Sequence, residues 1–204
     1  MKDLIEEVIK KEWEQFQQVN NEGGRAACQD QWSTFHLMRK SQFLSWTHEL
    51  LINYMEDLCI AEQEGRNLLS EKYAYMMEST AKDRYEEIKS LLPQISEERR
   101  ERMEKAISIQ VLWAEEFQRE YPGIAGKGRA IRTEEDTPWN TSVETYARGE
   151  MSSYSERTEK LFSQLVFDKK SQGLNLTKEV RENMVKLYGY KSLEEAEKAI
   201  NPNK

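Results

Sequence analysis

Long stretches of this chain run without a proline or a glycine, since only four prolines and nine glycines are spread over 204 residues. Between them stand mostly Glu, Lys, Gln, Leu, Met and Ala, the residues that lose least freedom on entering a helix. No Asn-Gly or Asp-Gly hairpin and no alternating β-branched run breaks the pattern. The chain therefore reads as all-α. A first helix is expected from about Asp3 to Val19, with Leu4, Ile5, Val8, Ile9, Glu12, Trp13 and Phe16 on one stripe. After the loop Asn20-Asn21-Glu22-Gly23-Gly24-Arg25, helical sequence resumes near Trp32. Thr47 caps a helix that ends at Gly65, and further helices are expected over about Leu69–Glu78 and Thr80–Leu91. Ser96 opens a long helix to about Glu120, halted by Pro122-Gly123. Ser192-Leu193-Glu194-Glu195 forms a capping box for a last helix ending before Asn201-Pro202.

The second half repeats landmarks of the first. Trp13 and Glu14-Gln15-Phe16-Gln17 match Trp113 and Glu115-Glu116-Phe117-Gln118, and Gly24-Arg25-Ala26 matches Gly128-Arg129-Ala130. Asp30 and Trp32 match Asp136 and Trp139. Trp46-Thr47, Tyr54, Leu58, Gly65-Arg66-Asn67-Leu68 and Met76 meet Tyr154-Ser155, Phe162, Val166, Gly173-Leu174-Asn175-Leu176 and Met184 at an offset of 108. The expected architecture is a helical bundle of two pseudo-symmetric repeats of about 100 residues, 1–95 and 96–204, forming one compact domain.

Composition narrows the role. With 30 Lys+Arg against 37 Asp+Glu the net charge is −7, and no basic block offers the clustered positive face that phosphate backbones require, so nucleic acid is not the expected partner. No run of 18 apolar residues occurs and the first residues are charged, which speaks against a membrane span or a signal peptide and for a cytoplasmic protein. Five Trp, nine Tyr and six Phe supply a core despite a mean hydropathy of −0.87. Cys28 and Cys59 lack CxxC spacing and read as free thiols. Neither His36 nor His48 has a Glu three residues before it, so no di-iron set, other metal site or cofactor is expected. His36 reads as partly buried, His48 as an exposed first-turn residue. The runs Glu97–Glu101 and Glu194–Lys198 read as solvated faces.

The sequences EQFQQVNNEGGRAACQD (Glu14–Asp30), GRNLLSEKY (Gly65–Tyr73) and YGYKSLEEAEKAI (Tyr188–Ile200) resemble a bacterial family known as domain of unknown function 4125. The resemblance spans essentially the whole chain; it implies a bacterial cytoplasmic origin and no particular reaction.

The two Gly-Arg loops are the candidate site. Glycine-rich turns allow close backbone approach, and an Arg after each carries a fork of donors suited to a carboxylate or phosphate. Arg25 and Arg129, with Lys127 and Arg132 nearby, would form a cationic spot, with Asp30 and Asp136 as counter-ions and Trp32 and Trp139 as walls. In the alternative, each Arg simply pairs with its own acid. Three functions stay open: binding an anionic small molecule or peptide carboxylate between the loops; a helical interaction protein, such as a homodimer; or an enzyme using Asp30, Asp136, Glu22 or Glu135 as acid or base. Cys28, beside Arg25, is the lone candidate nucleophile.

Overall fold

A computed structural model describes residues 1–20 and 23–200, so Asn21, Glu22 and the terminal Asn201 and Pro202 lie outside the described residues. Within that range the chain is helical and without strands. The elements are α1 (Lys2–Gln17), α2 (Trp32–Phe43), α3 (His48–Gln63), α4 (Leu68–Thr80), α5 (Lys82–Ile88), α6 (Glu97–Glu120), α7 (Pro122–Ala125), α8 (Val143–Ser153), α9 (Glu156–Ser171), α10 (Leu176–Leu187) and α11 (Leu193–Ile200). The expected Thr80–Leu91 helix is instead broken at Ala81, whose φ of −151° and ψ of 60° no helix accommodates.

Caps fix most boundaries. The side chains of Thr47, Asn67, Ser96, Ser142, Ser155 and Asn175 each accept the N–H three residues on, satisfying a donor that the first turn leaves free. Gly65 and Gly173 end α3 and α9 at φ of 69° and 70°, the left-handed region where a Cβ is penalised. The N–H after each then reaches back to the carbonyls of Ala61 (2.7 Å) and Lys169 (2.9 Å). The glycines of the second Gly-Arg loop differ in kind from Gly24, which has a φ of 83°. Gly128 is there for closeness: a Cβ on it would meet the Ala125 carbonyl at 3.1 Å.

Packing follows the amphipathic stripes. α1 lies against α2, α3 and α4, and α6 against α8, α9 and α10. Three further contacts join the two sets: α4 along α8, α10 along α2, and α3 beside α9. At the centre Trp46, Tyr54, Tyr154 and Phe162 form an aromatic cluster, with ring centroids 5.4–6.2 Å apart. Trp113 is buried in the main core as its stripe predicts, while Trp13 is half-buried against Phe16, Trp32 and Phe35.

The charged runs are solvated faces as the sequence suggests, with the exceptions of Arg99 and, in part, Glu197. Arg99 is buried, and its guanidinium donates to the carbonyls of Met151 (3.0 Å) and Tyr154 (2.7 Å), occupying acceptors that the end of α8 leaves open. In the last helix Glu197 accepts from the N–H groups of Gly123 and Ile124, capping α7.

α4 approaches α8 at Gly149, where a Cβ would stand 2.7 Å from the Lys72 carbonyl and 2.5 Å from Met76 Cγ. Backbone cannot yield as a side-chain tip does. Gly149→Ala should therefore destabilise the protein by about 1–3 kcal/mol despite its better helix propensity. The hydroxyl of Tyr154, by contrast, is buried with no partner. Tyr154→Phe should leave the thermal midpoint unchanged or raise it, because it removes an unsatisfied group and keeps the ring. Thermal unfolding of both variants checks the pair.

Candidate functional site

A buried charge network lies between the helices. Glu12, on the apolar stripe of α1, is 0% exposed. Both its oxygens accept from Arg39 on α2, at 2.6 Å each, and Tyr54 donates to the same carboxylate at 2.6 Å. Arg39 also reaches Gln42 (2.7 Å) and Glu150 on α8 (2.8 Å). Glu150 in turn faces Lys72 of α4 at 3.5 Å, and the Lys72 ammonium stands 3.7 Å from the centre of the Tyr146 ring. Burial alone would raise the Glu150 carboxyl, but Lys72 and Arg39 hold it down at about 2. Burial and Glu12 together push the Tyr54 hydroxyl up, so it stays a donor.

This network forms one wall of a cavity of about 470 Å³. Cavities of roughly 300–1,000 Å³ are the size that holds small organic molecules. Its other walls are apolar: Phe16 and Phe35, Met38, Trp46, Phe162, Leu176, Val180 and Met184. Lys72, Tyr73, Gln110, Tyr146, Arg129 and Arg181 add polar groups, and Cys28 sits at the rim. Arg129 is exposed, donates to Thr141 Oγ1 (2.7 Å) and lies over the same Tyr146 ring as Lys72, 4.7 Å from its centre. Among the described residues the Arg181 guanidinium donates only to the Met184 sulfur, at 3.7 Å, and burial draws its affinity for a proton down.

Of the six residues singled out in the loops, Arg129 alone lines this cavity. Arg25 pairs with Asp30 at 2.9 Å and also bonds Gln17 and the Gln29 carbonyl, so its fork is used to fasten its own loop. Asp136 accepts from the Ser142 N–H (2.6 Å), Thr145 (2.5 Å) and Ser79 (2.6 Å), tying the start of α8 to α4. Trp32 packs edge-on to Trp13 and beside His36. Trp139 is not at a helix start; it projects 96% exposed from the Thr137–Asn140 turn. Arg132 pairs with Glu115 at 2.6 Å. Glu135 accepts from the Ile131 and Arg132 N–H groups. Glu22 lies outside the described residues. His36 is half-buried against Glu6 (2.7 Å) and His48 is exposed, as expected. Both cysteines are free. Among the described residues no helix is long and apolar enough to cross a membrane. The network residues were missed, although Glu12 on an apolar stripe is itself a signal: a carboxylate at a core position demands a buried cation.

The family profile described as "Protein of unknown function (DUF4125)" matches residues 2–198. The chain belongs to this family. No curated protein and no solved structure is significantly similar to it.

Acid stability tests the network. The folded carboxyl of Glu150 binds its proton near pH 2 rather than at the ordinary 4.5. Its contribution is therefore complete above the ordinary value and disappears as pH falls toward 2, on the order of 3 kcal/mol in all. Glu150→Gln should unfold more easily at neutral pH, because Lys72 and Arg39 lose an anion, and should lose correspondingly less stability between pH 5 and pH 2. Urea unfolding across that range measures both.

Proposed function

We propose that this protein is an internally duplicated helical bundle that binds a small molecule with an apolar or aromatic body and an anionic group in the cavity between its halves, residues 1–95 and 96–204. The observation carrying the reading is the cavity's make-up: aromatic and aliphatic walls, with Lys72, Arg129 and Arg181 directed at one volume inside an acidic protein. Such a combination suits an amphipathic anion, whose body is desolvated by the walls and whose charge meets fixed donors.

Several correspondences support the duplication. α9 spans the positions 108 residues on from α3, and Ser155 caps it as Thr47 caps α3. The aromatic cluster pairs Trp46 with Tyr154 and Tyr54 with Phe162 at that same offset. Lys40 with Glu6 (2.6 Å) and Arg148 with Glu104 (2.7 Å) are matching ion pairs, which sets the long helices in register at Glu6 and Glu104, about one helical turn away from the Glu14–Glu115 match read from the sequence. Asn67 and Asn175 each donate to a carbonyl of their long helix, of Gln15 and Trp113 respectively. The cavity is lined by equivalent positions from both halves: Phe35 with Val143, Met38 with Tyr146, Gln42 with Glu150, Lys72 with Val180, Tyr73 with Arg181. Each half thus contributes the same places and different chemistry. Two free thiols fit a cytoplasmic setting.

Calorimetric titration with 1-naphthoate, 2-naphthol and 1-naphthylmethylamine tests the reading. The anion should bind at least about tenfold tighter than the neutral ring, in keeping with a charge-assisted hydrogen bond, and the amine should not bind. Val180→Trp, which fills the cavity, should abolish binding while the helical circular dichroism persists. Equal affinity for all three rings, or binding untouched by Val180→Trp, would refute it.

A further inference from the structure

The charges around the cavity do not cancel, and the surplus specifies the ligand. Arg39 and Lys72 are matched by Glu12 and Glu150. Arg129 and Arg181 have no acidic partner within 4 Å among the described residues; the first holds Thr141 and the second faces only a thioether. Both line the same cavity, and Arg181 reaches the second Gly-Arg loop, its Nη2 lying 3.5 Å from where a Cβ on Gly128 would stand, one residue before Arg129. Two cations that line one cavity without a counter-ion leave it a surplus of positive charge, which an anion entering it would relieve.

Resting on the cavity reading above, we propose that Arg129 and Arg181 form the head-group subsite for a phosphate monoester whose organic part occupies the apolar cavity. A phosphate monoester carries a charge of about −1.5 to −2 near neutral pH and three acceptor oxygens, matching two guanidinium forks in both charge and donors. A monocarboxylate or a sulfate ester would leave one positive charge unbalanced. Lys72, held over Tyr146 and against Glu150, is the inner boundary of the subsite and belongs to the network rather than to the ligand. Because Arg181 lacks a counter-ion, the free protein gains nothing electrostatic from it. Its replacement by a neutral side chain of similar length should not weaken the fold.

The test compares 1-naphthyl phosphate with 1-naphthyl sulfate, a matched ester of fixed single charge, and with inorganic phosphate. At pH 7.5 the phosphate ester should bind at least about tenfold tighter than the sulfate. That advantage should shrink at pH 5, where the ester's second ionisation near pH 6 is reversed. Arg181→Met and Arg129→Met should each bring the phosphate-to-sulfate ratio toward one, and Arg181→Met should keep or raise the thermal midpoint. Arg129 is exposed, so its variant remains a folded reporter even if the other does not. Equal binding of both esters overturns the phosphate assignment and leaves the cavity reading standing. Tight phosphate binding indifferent to both variants overturns the assignment of the arginines. Failure of every naphthyl anion, or inorganic phosphate binding as tightly as its naphthyl ester, overturns the cavity reading as well.

Discussion

The fully buried carboxylate of Glu12 is the constraint on which the rest of the packing depends. An ionised carboxylate removed from water is tolerated only with a cation and complete hydrogen bonding, and Glu12 obtains both from Arg39 and Tyr54. Those partners bring α2 and α3 onto α1. Arg39 then has a donor to spare, which it gives to Glu150, and Glu150 recruits Lys72. Four charges are thereby shared by α1, α2, α4 and α8, and no one of these helices can slide along its neighbour without stranding a charge. Hydrophobic burial alone, being non-directional, would not fix their register so tightly.

A network of this kind also explains why a cavity persists beside it. Apolar side chains would ordinarily close such a volume by small shifts, since interiors pack at near-crystalline density. Here α4 meets α8 at Gly149 with backbone nearly in contact, and Asn183 of α10 bonds the Ser41 carbonyl (3.1 Å) on α2. The helices around the cavity are thus held apart and together at set points: small residues fix the approach, and buried charges fix the rotation. The opening between them is a property of rigid contacts on either side of it.

Most of the helices were legible in the sequence because their signals are local. Thr47, Ser96, Ser155, Gly65 and Gly173 cap or end helices through groups a few residues away, and each does so as its type predicts. The break between α4 and α5 was legible to within about two residues, while its exact place at Ala81 was not, since no proline or glycine marks it. The site was only partly legible for a related reason. Arg25 and Asp30 are close in sequence and satisfy each other, so a sequence reading drawn to the Gly-Arg motif found a local loop fastening. Glu12, Arg39, Lys72 and Glu150 come from four separate helices, and nothing short of the tertiary fold says which lysine or glutamate among so many turns inward. Arg99 was lost in the same way, hidden in a run of charges whose other members face water.

Charge is not spread evenly over the walls of the cavity. The part before residue 96 supplies Arg39, Lys72 and the aromatic surface of Phe16 and Phe35. The part after it supplies Glu150, which pairs with both of those cations, together with Arg129 and Arg181, which have no acidic partner within 4 Å among the described residues. A half-buried guanidinium with no acid beside it among the described residues, as at Arg181, conflicts with the preferences that favour folding, while the caps, stripes and ion pairs around it agree with one another. Local conflicts amid general consistency are where binding sites are expected, because affinity for a ligand of opposite charge is stored as the unfavourable field of the empty site. In the proposed complex the anionic group is turned toward the second Gly-Arg loop and the organic body toward the aromatic and aliphatic walls.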